Sequence, residues 1–477
     1  MSTYIRLTLL AFFALTNTVI VVSQDYPFRF GNEVYDQDVK TVTFEVNGLP
    51  TNFPILVLNS SQYVMLKFDD LLNEERHLYY RLIHCTKDWE PSGISEIEAI
   101  AGFNDERLRN YDYSVNTRTP YIHYWQRFPN KDTQFKLSGN YLLVIYEDKI
   151  DYPLLTRRLV VTENKVGVDV QSIFPADVEN IRYRQELQVS VNFEKFKMRN
   201  PVNEVSALVL QNENWNLPVH AKPSFFSGNN LKFNKLRTFE FWGLAEYRQF
   251  DTRSLMRLGR HVKFIDRRTD GTDVLLETDQ SRASKVHIAF FDFNGKFLID
   301  NFERLGGRSV TQALDEYTGN IQADASLRQS LRDSLVSSIA QRNALLDNFD
   351  RAEERDIRSD YTKVTFVLDM DAADQNKDVF VLGAMNNWLP LEEYRMVYDP
   401  KRDMMSTEVL LKQGYYNYYY GLLENDDQVD YASLEGSWNE TENDYQVLIY
   451  YRGLGDLYDR VIGYSSYNTN TRLLNVR

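Results

Sequence analysis

A single cysteine, Cys85, is all that the 477 residues contain. It cannot close a disulfide within the chain, and a cysteine-based metal cluster is excluded. On a strand-like run it reads as a small buried side chain rather than a nucleophile. Familiar catalytic signatures are missing too: there is no nucleophile elbow, phosphate-binding glycine loop or zincin helix. The six histidines are scattered without metal-ligand spacing. Only His84 and His123 could meet as a metal pair, against the plainer reading of hydrogen-bonded or surface histidines. Positive charge is short. The formal net charge is −14 with no concentrated basic patch, which disfavours nucleic acid and anionic lipid as partners. No short-period repeat suggests a propeller or solenoid. Evenly spaced dyad segments are lacking and the end, LLNVR, carries no terminal aromatic, so an outer-membrane barrel is disfavoured.

Aromatic residues are plentiful, with 31 Tyr and 28 Phe, and favour sheets over helices. The length corresponds to about three domains. Residues 1–23 have the layout of an export signal: Arg6 precedes the apolar run Leu7–Val22, and Ser23 stands before a cleavage point at Gln24. Thr16, Asn17 and Thr18 interrupt that run, which is short for a membrane anchor. No Cys follows it, so an acylated lipoprotein is disfavoured.

Period-2 alternation marks strands at Tyr79–Cys85 and Tyr141–Tyr146, each packed on one or both faces. Leu137-Ser-Gly-Asn-Tyr141 resembles the tyrosine corner of an immunoglobulin-type sandwich. The expected fold is mainly β, with three tandem immunoglobulin-like or early-set β-sandwiches. The first spans residues 24–163 and the second 164–305, closing on a strand at Lys285–Phe293 and a hairpin turn at Asn294-Gly295. Residues 306–360 form a helical insert, because Ser326–Arg358 lacks Pro and Gly and repeats leucines at helical spacing. The third sandwich takes 361–477 and includes strands at Tyr415–Leu422 and Tyr445–Tyr451.

Three features invite a binding role. Glu424, Asp426, Asp427 and Asp430 could hold calcium, but lack the alternation and internal Gly of a calcium loop and read as a solvated hairpin. Glu246, Arg248, Asp251 and Arg253 place opposite charges two apart on a strand, as a recognition patch or, more simply, a structural ion-pair row. Val379–Pro390 and the tyrosine hairpin after it resemble the early-set sandwiches of glycogen- and starch-handling enzymes. Trp388 with Tyr415, Tyr416, Tyr418, Tyr419 and Tyr420 could form a sugar-stacking platform, making a periplasmic or surface carbohydrate-binding protein the alternative function. The competing reading splits these rings between core and surface. Asn59 and Asn439 begin Asn-x-Ser/Thr sequons, which matter only in a glycosylating host.

Taken together, the phrases resemble the plug protein family of the type IX secretion system of Bacteroidetes. In the first module the likeness rests on Tyr80-Arg81, Cys85, Asp88-Trp89, Pro91-Ser92, Gly102-Phe103-Asn104, Tyr121–His123 and Ser138–Tyr141. Further on it rests on Leu210–Trp215, Pro223, Gly228-Asn229 and Glu246–Leu255, the last holding Glu246, Arg248 and Asp251. It closes on the runs LLKQGYYNYYY, ETENDYQVLIYYR and YDRVIGY, the last beginning Tyr458-Asp459-Arg460. Phe241–Ala245 departs from the family's more glycine- and asparagine-rich turn. The resemblance implies a non-enzymatic, periplasmic protein at the inner face of the outer membrane. Its implied partner is the giant β-barrel translocon, whose periplasmic opening it occludes while no cargo shuttle is bound. It implies no cofactor, no metal and no membrane span. Trp388 joins the signature residues as a structural or interface position.

Overall fold

The computed structural model describes residues 26–48, 52–303, 354–370, 377–401, 403–424 and 428–470. The expected export signal, and the expected helical insert up to residue 353, lie outside them; Glu354–Arg358 is a short helix. The fold is mainly β, as the aromatic-rich composition suggests.

Alternation decides which core each side chain enters. Along Tyr79–Cys85, Tyr80 and Leu82 face one hydrophobic core, while Ile83 and Cys85 face another. Gly139–Tyr146 does the same: Tyr141, Leu143 and Ile145 point one way, and Leu142, Val144 and Tyr146 the other. A strand buried on both faces is central to the packing, since each large apolar side chain removed from water contributes roughly 1.5–3 kcal/mol. The Tyr141 hydroxyl donates to Leu137 O at 2.8 Å, which completes the expected tyrosine corner.

The first sandwich faces a four-stranded sheet (Val39–Val46, Val64–Asp70, Ile122–Phe128, Tyr111–Tyr113) against one side of a ten-stranded sheet. That larger sheet does not stop at the module. Pro153–Thr162 meets Arg460–Asn468 in parallel, through Thr162 and Val461, and the sheet continues through Asp444–Tyr451 to Val205–Gln211. The first and second modules therefore share one sheet.

Pairing also redraws the expected boundaries. Asp444–Tyr451 pairs with Val205–Gln211, and Tyr445, Val447, Ile449 and Ile462 enter a core with Leu187, Val189 and Phe241. The C-terminal strands thus complete the second sandwich, not the third. The third is built from Arg248–Asp251, Val262–Arg267, Thr272–Leu276 and Phe297–Ile299 together with Tyr361–Asp369, Val379–Leu382, Met404–Lys412 and Gly414–Leu423. It is inserted between two strands of the second. The expected cut at 305/306 falls inside it, and the expected strand at 285–293 is absent: Val286 and Ile288 are exposed there.

Phe241–Ala245 is the outward crossing and 436–441 the return. A Cβ on Gly243 would lie 2.0 Å from Trp438 O, so only glycine admits the two passing backbones. Trp438 N donates to Leu244 O at 2.9 Å, and Thr441 Oγ1 donates to the same carbonyl at 2.6 Å. The departure from a glycine- and asparagine-rich turn is this double crossing.

Candidate functional site

Trp89, Trp215 and Trp388 come from different modules and gather where the three meet. Thr86 N bonds Glu90 O at 2.7 Å and Trp89 N bonds Thr86 O at 3.1 Å, a tight turn that holds Trp89 at φ 64°. Its ring meets Trp215 edge-on, with centroids 5.1 Å apart. Trp388 stands at φ 55° beside Asn387 at φ 53°, and Asn212 and Glu213, just before Trp215, are at φ 52° and 60°. Bulky residues in the left-handed region are held against a conformational cost of order 1–3 kcal/mol each, and such residues cluster where packing or function over-determines them. Asn216 Nδ2 donates to Asn387 O at 2.9 Å and ties the second module to the third.

A cleft of about 720 Å³ opens at this junction, lined by Arg29–Glu33 residues, Arg158, Trp215, Leu217, Trp388 and Tyr431 among others. A smaller cavity of about 110 Å³ adjoins it and reaches Arg157. Arg157 and Arg158, consecutive on Pro153–Thr162, are the residues sequence reasoning missed. Arg157 Nη1 donates to Glu33 O and Thr156 O at 3.0 and 2.8 Å. Arg158 Nε and Nη2 donate to Phe30 O at 3.0 and 2.6 Å, and its guanidinium lies over Trp89 and Trp215 at 4.5 and 5.3 Å from their centroids. Neither arginine meets a carboxylate among the described residues. Burial lowers both guanidinium groups to about 10, which leaves them charged at neutral pH. The available signal was two arginines embedded in an otherwise apolar strand, PLLTRRLVVT.

The remaining signature residues act as clasps. Arg460 grips Glu163 with Nε and Nη2, both at 2.7 Å, and joins the C-terminal strand to the first module. Burial would raise Glu163, but bonds from Arg460, Lys165 and Ser138 bring it down to about 2. Asp459 Oδ2 accepts Lys87 N at 2.9 Å, and Tyr458 meets His84 edge-on at 5.2 Å. Asp88 is exposed and pairs with Lys87, while Pro91 bridges back to Cys85. Cys85 is fully buried, its thiol pushed up to about 12 by burial, which is the inert role expected of it.

The charged run 246–253 is buried, but its pairing is not a simple row. Arg248 meets Glu435 at 2.9 Å and Asp279 at 2.6 Å, and Asp251 pairs with Arg253. Glu246 is 2% exposed beside His287 at 3.6 Å. No recognition patch is presented. The sugar platform is likewise overturned: Tyr416, Tyr418 and Tyr420 fill the third core, Tyr419 stacks on Tyr247 at 3.7 Å, and Trp388 is 7% exposed. Alternate rings face opposite sides of Gly414–Leu423 and both sides are covered, so they form no open face. His84 and His123 are not brought together as a pair. His84 bonds Ser92 at 2.7 Å on the ten-stranded sheet, and His123 bonds Asp69 at 2.6 Å on the four-stranded one. Of the acidic run, Asp430 caps Ser433, whereas Asp426 and Asp427 lie outside the described residues. No group of three metal-ligating side chains occurs among the described residues.

A third seam joins the first and third modules. Asp69, 1% exposed, accepts Lys412 Nζ and the Tyr361 hydroxyl, each at 2.6 Å, besides His123. Burial opposes its charge, but Lys412 and His123 outweigh that and lower it. Lys67 bonds Asp356 at 3.1 Å, and the Tyr121 hydroxyl bonds the carbonyls of Asp356 and Ser359 at 2.8 Å.

Fold and site define a multi-sandwich β-protein whose modules are locked around a common junction by a shared sheet and buried polar clasps. Residues 39–163 match the family described as type 9 secretion system plug protein 1st domain. This match supports the type IX secretion system plug family for the first module and suggests a role related to that machinery and an envelope-associated location. It is also similar to a crystal structure of a hypothetical protein from Parabacteroides merdae, at 25% identity and a TM-score of 0.78, covering 92% of this chain and 100% of that one. Comparison with curated proteins gave no match. No described helix is long and apolar enough to cross a membrane.

Proposed function

We propose that the protein is a non-enzymatic stopper of type IX secretion. In this reading it sits in the periplasm at the inner face of the outer membrane and occludes the opening of the giant β-barrel translocon while no cargo shuttle is bound. The observation that carries the reading is the locking of the modules. A channel that passes folded cargo leaks unless it is blocked by a body of folded-domain width, and a domain of about 130 residues is roughly 35 Å across. Loosely tethered domains would let such a seal flex. Here one sheet crosses two modules, the third is held by two backbone crossings, and the Asp69–Lys412 pair ties it to the first.

A removable seal calls for a moderate, partly polar interface rather than an obligate apolar one. Deleting the gene tests the proposal: entry of large hydrophilic molecules through the outer membrane should rise and be reversed by the intact chain. Unchanged permeability in a strain whose barrel is present argues against it.

A further inference from the structure

We propose that the junction cleft is a binding site for a peptide carboxylate flanked by apolar side chains. Its charge balance points to an anion. Glu213 is held by Lys296 at 2.5 Å and Glu33 pairs with Arg29 at 3.4 Å, so Arg158 makes no close ion pair on the wall and Glu33 reaches it only at longer range. Burial of a cation without a counter-ion is costly, and an anionic ligand would relieve it. Arg158 spends Nε and Nη2 on Phe30 O, and its Nη1 has no acceptor among the described residues. The side-chain amide of Asn387 and Nδ2 of Asn32, on the same wall, have no acceptor there either. Three donor groups on one cleft lining thus lack an acceptor, which suits a carboxylate.

The rest of the lining selects what carries that carboxylate. Leu217, Pro218, Leu389, Pro390 and Val429 line the cleft with Trp215 and Trp388, a surface for apolar side chains rather than for a polyhydroxylated sugar. At about 720 Å³ the cleft lies within the range of ligand-sized sites, and a few residues of extended peptide fill such a volume. The carboxylate could belong to a chain terminus or to an acidic side chain.

The test is fluorescence anisotropy of the full chain with fluorescein-labelled Gly-Ser-Leu-Phe-Leu as its free acid, as its C-terminal amide, and as an amide ending in Glu. The free acid or the Glu peptide should saturate, and whichever binds identifies the carboxylate's source. The plain amide should bind about 10-fold or more weakly, the usual worth of a charge-assisted bond. Arg158→Gln should reduce the acidic peptide to the level of the amide. Because Arg158 also holds Phe30, a second variant, Leu217→Trp, fills the rim at a half-exposed position and should abolish binding without changing the melting temperature. Equal binding of acid and amide, no saturation by either acidic peptide, or unchanged affinity in Leu217→Trp would overturn the proposal.

Discussion

Lys412 Nζ lies 2.6 Å from Asp69 Oδ2, with both side chains 1% exposed, and so an ion pair closed to water joins the third sandwich to the first. Losing one partner strands the other charge in the interior, which typically costs about 3–5 kcal/mol. Lys412→Met should therefore destabilise the chain by that order in urea unfolding. The double variant Lys412→Met with Asp69→Asn should recover part of the loss, and an unchanged single variant would show that the seam does not hold the modules.

Acid should open the clasps in a defined window. Glu163, Asp69 and Asp279 are all held below their ordinary values against the cost of burial, chiefly by Arg460, Lys412 and Arg248 respectively. A carboxylate lowered in the folded state adds stability above its unfolded value and loses it as pH falls through the folded one. Denaturant midpoints should thus decline from about pH 5 downward, toward the Glu163 value of about 2. Arg460→Gln should flatten part of that decline. A midpoint flat down to pH 3 would contradict these assignments.

Because the last strands belong to the second sandwich, truncation after Gly436 should damage that module and spare the third. Tyr445, Val447 and Ile449 would leave the second core, while the third keeps every strand it pairs. Hydrogen exchange should show Arg184–Asn192 losing protection and Tyr361–Asp369 retaining it. Loss of protection at 361–369 alone would contradict the pairing.

Trp89, 7% exposed, packs edge-on against Trp215, 8% exposed, at the heart of the junction. Trp89→Ala should cost about 3–5 kcal/mol as a buried aromatic truncation. The sugar reading makes an opposite kind of prediction for Trp388. With the rings inside, the intact chain should migrate unchanged in gels containing starch or glycogen, and retardation abolished by Trp388→Ala would restore that reading.

Much of the fold was legible. Tyr79–Cys85 forms a strand over the span that alternation marked, and Tyr141 makes its corner as its local phrase suggested. What escaped was long-range. Neighbouring strands in sequence usually neighbour in space, so Tyr445–Tyr451 was assigned to the module before it. Nothing local reveals that the chain returns past Gly243. The run 285–293 alternates like a strand but has no ladder to join: Phe293 N turns instead to Asn417 Oδ1 at 2.5 Å. At the junction, the tryptophans stood out by type, whereas nothing in the sequence drew attention to Arg157 and Arg158. Their importance comes from the Phe30 and Glu33 carbonyls that fold over them, a tertiary fact with no spacing signature.

The most direct measurement is affinity purification of the giant outer-membrane barrel from cells with and without its cargo-shuttle subunit. The account predicts that this chain co-purifies with the barrel when the shuttle is absent and is depleted when the shuttle is bound. Recovery of the barrel without this chain in both states would contradict it.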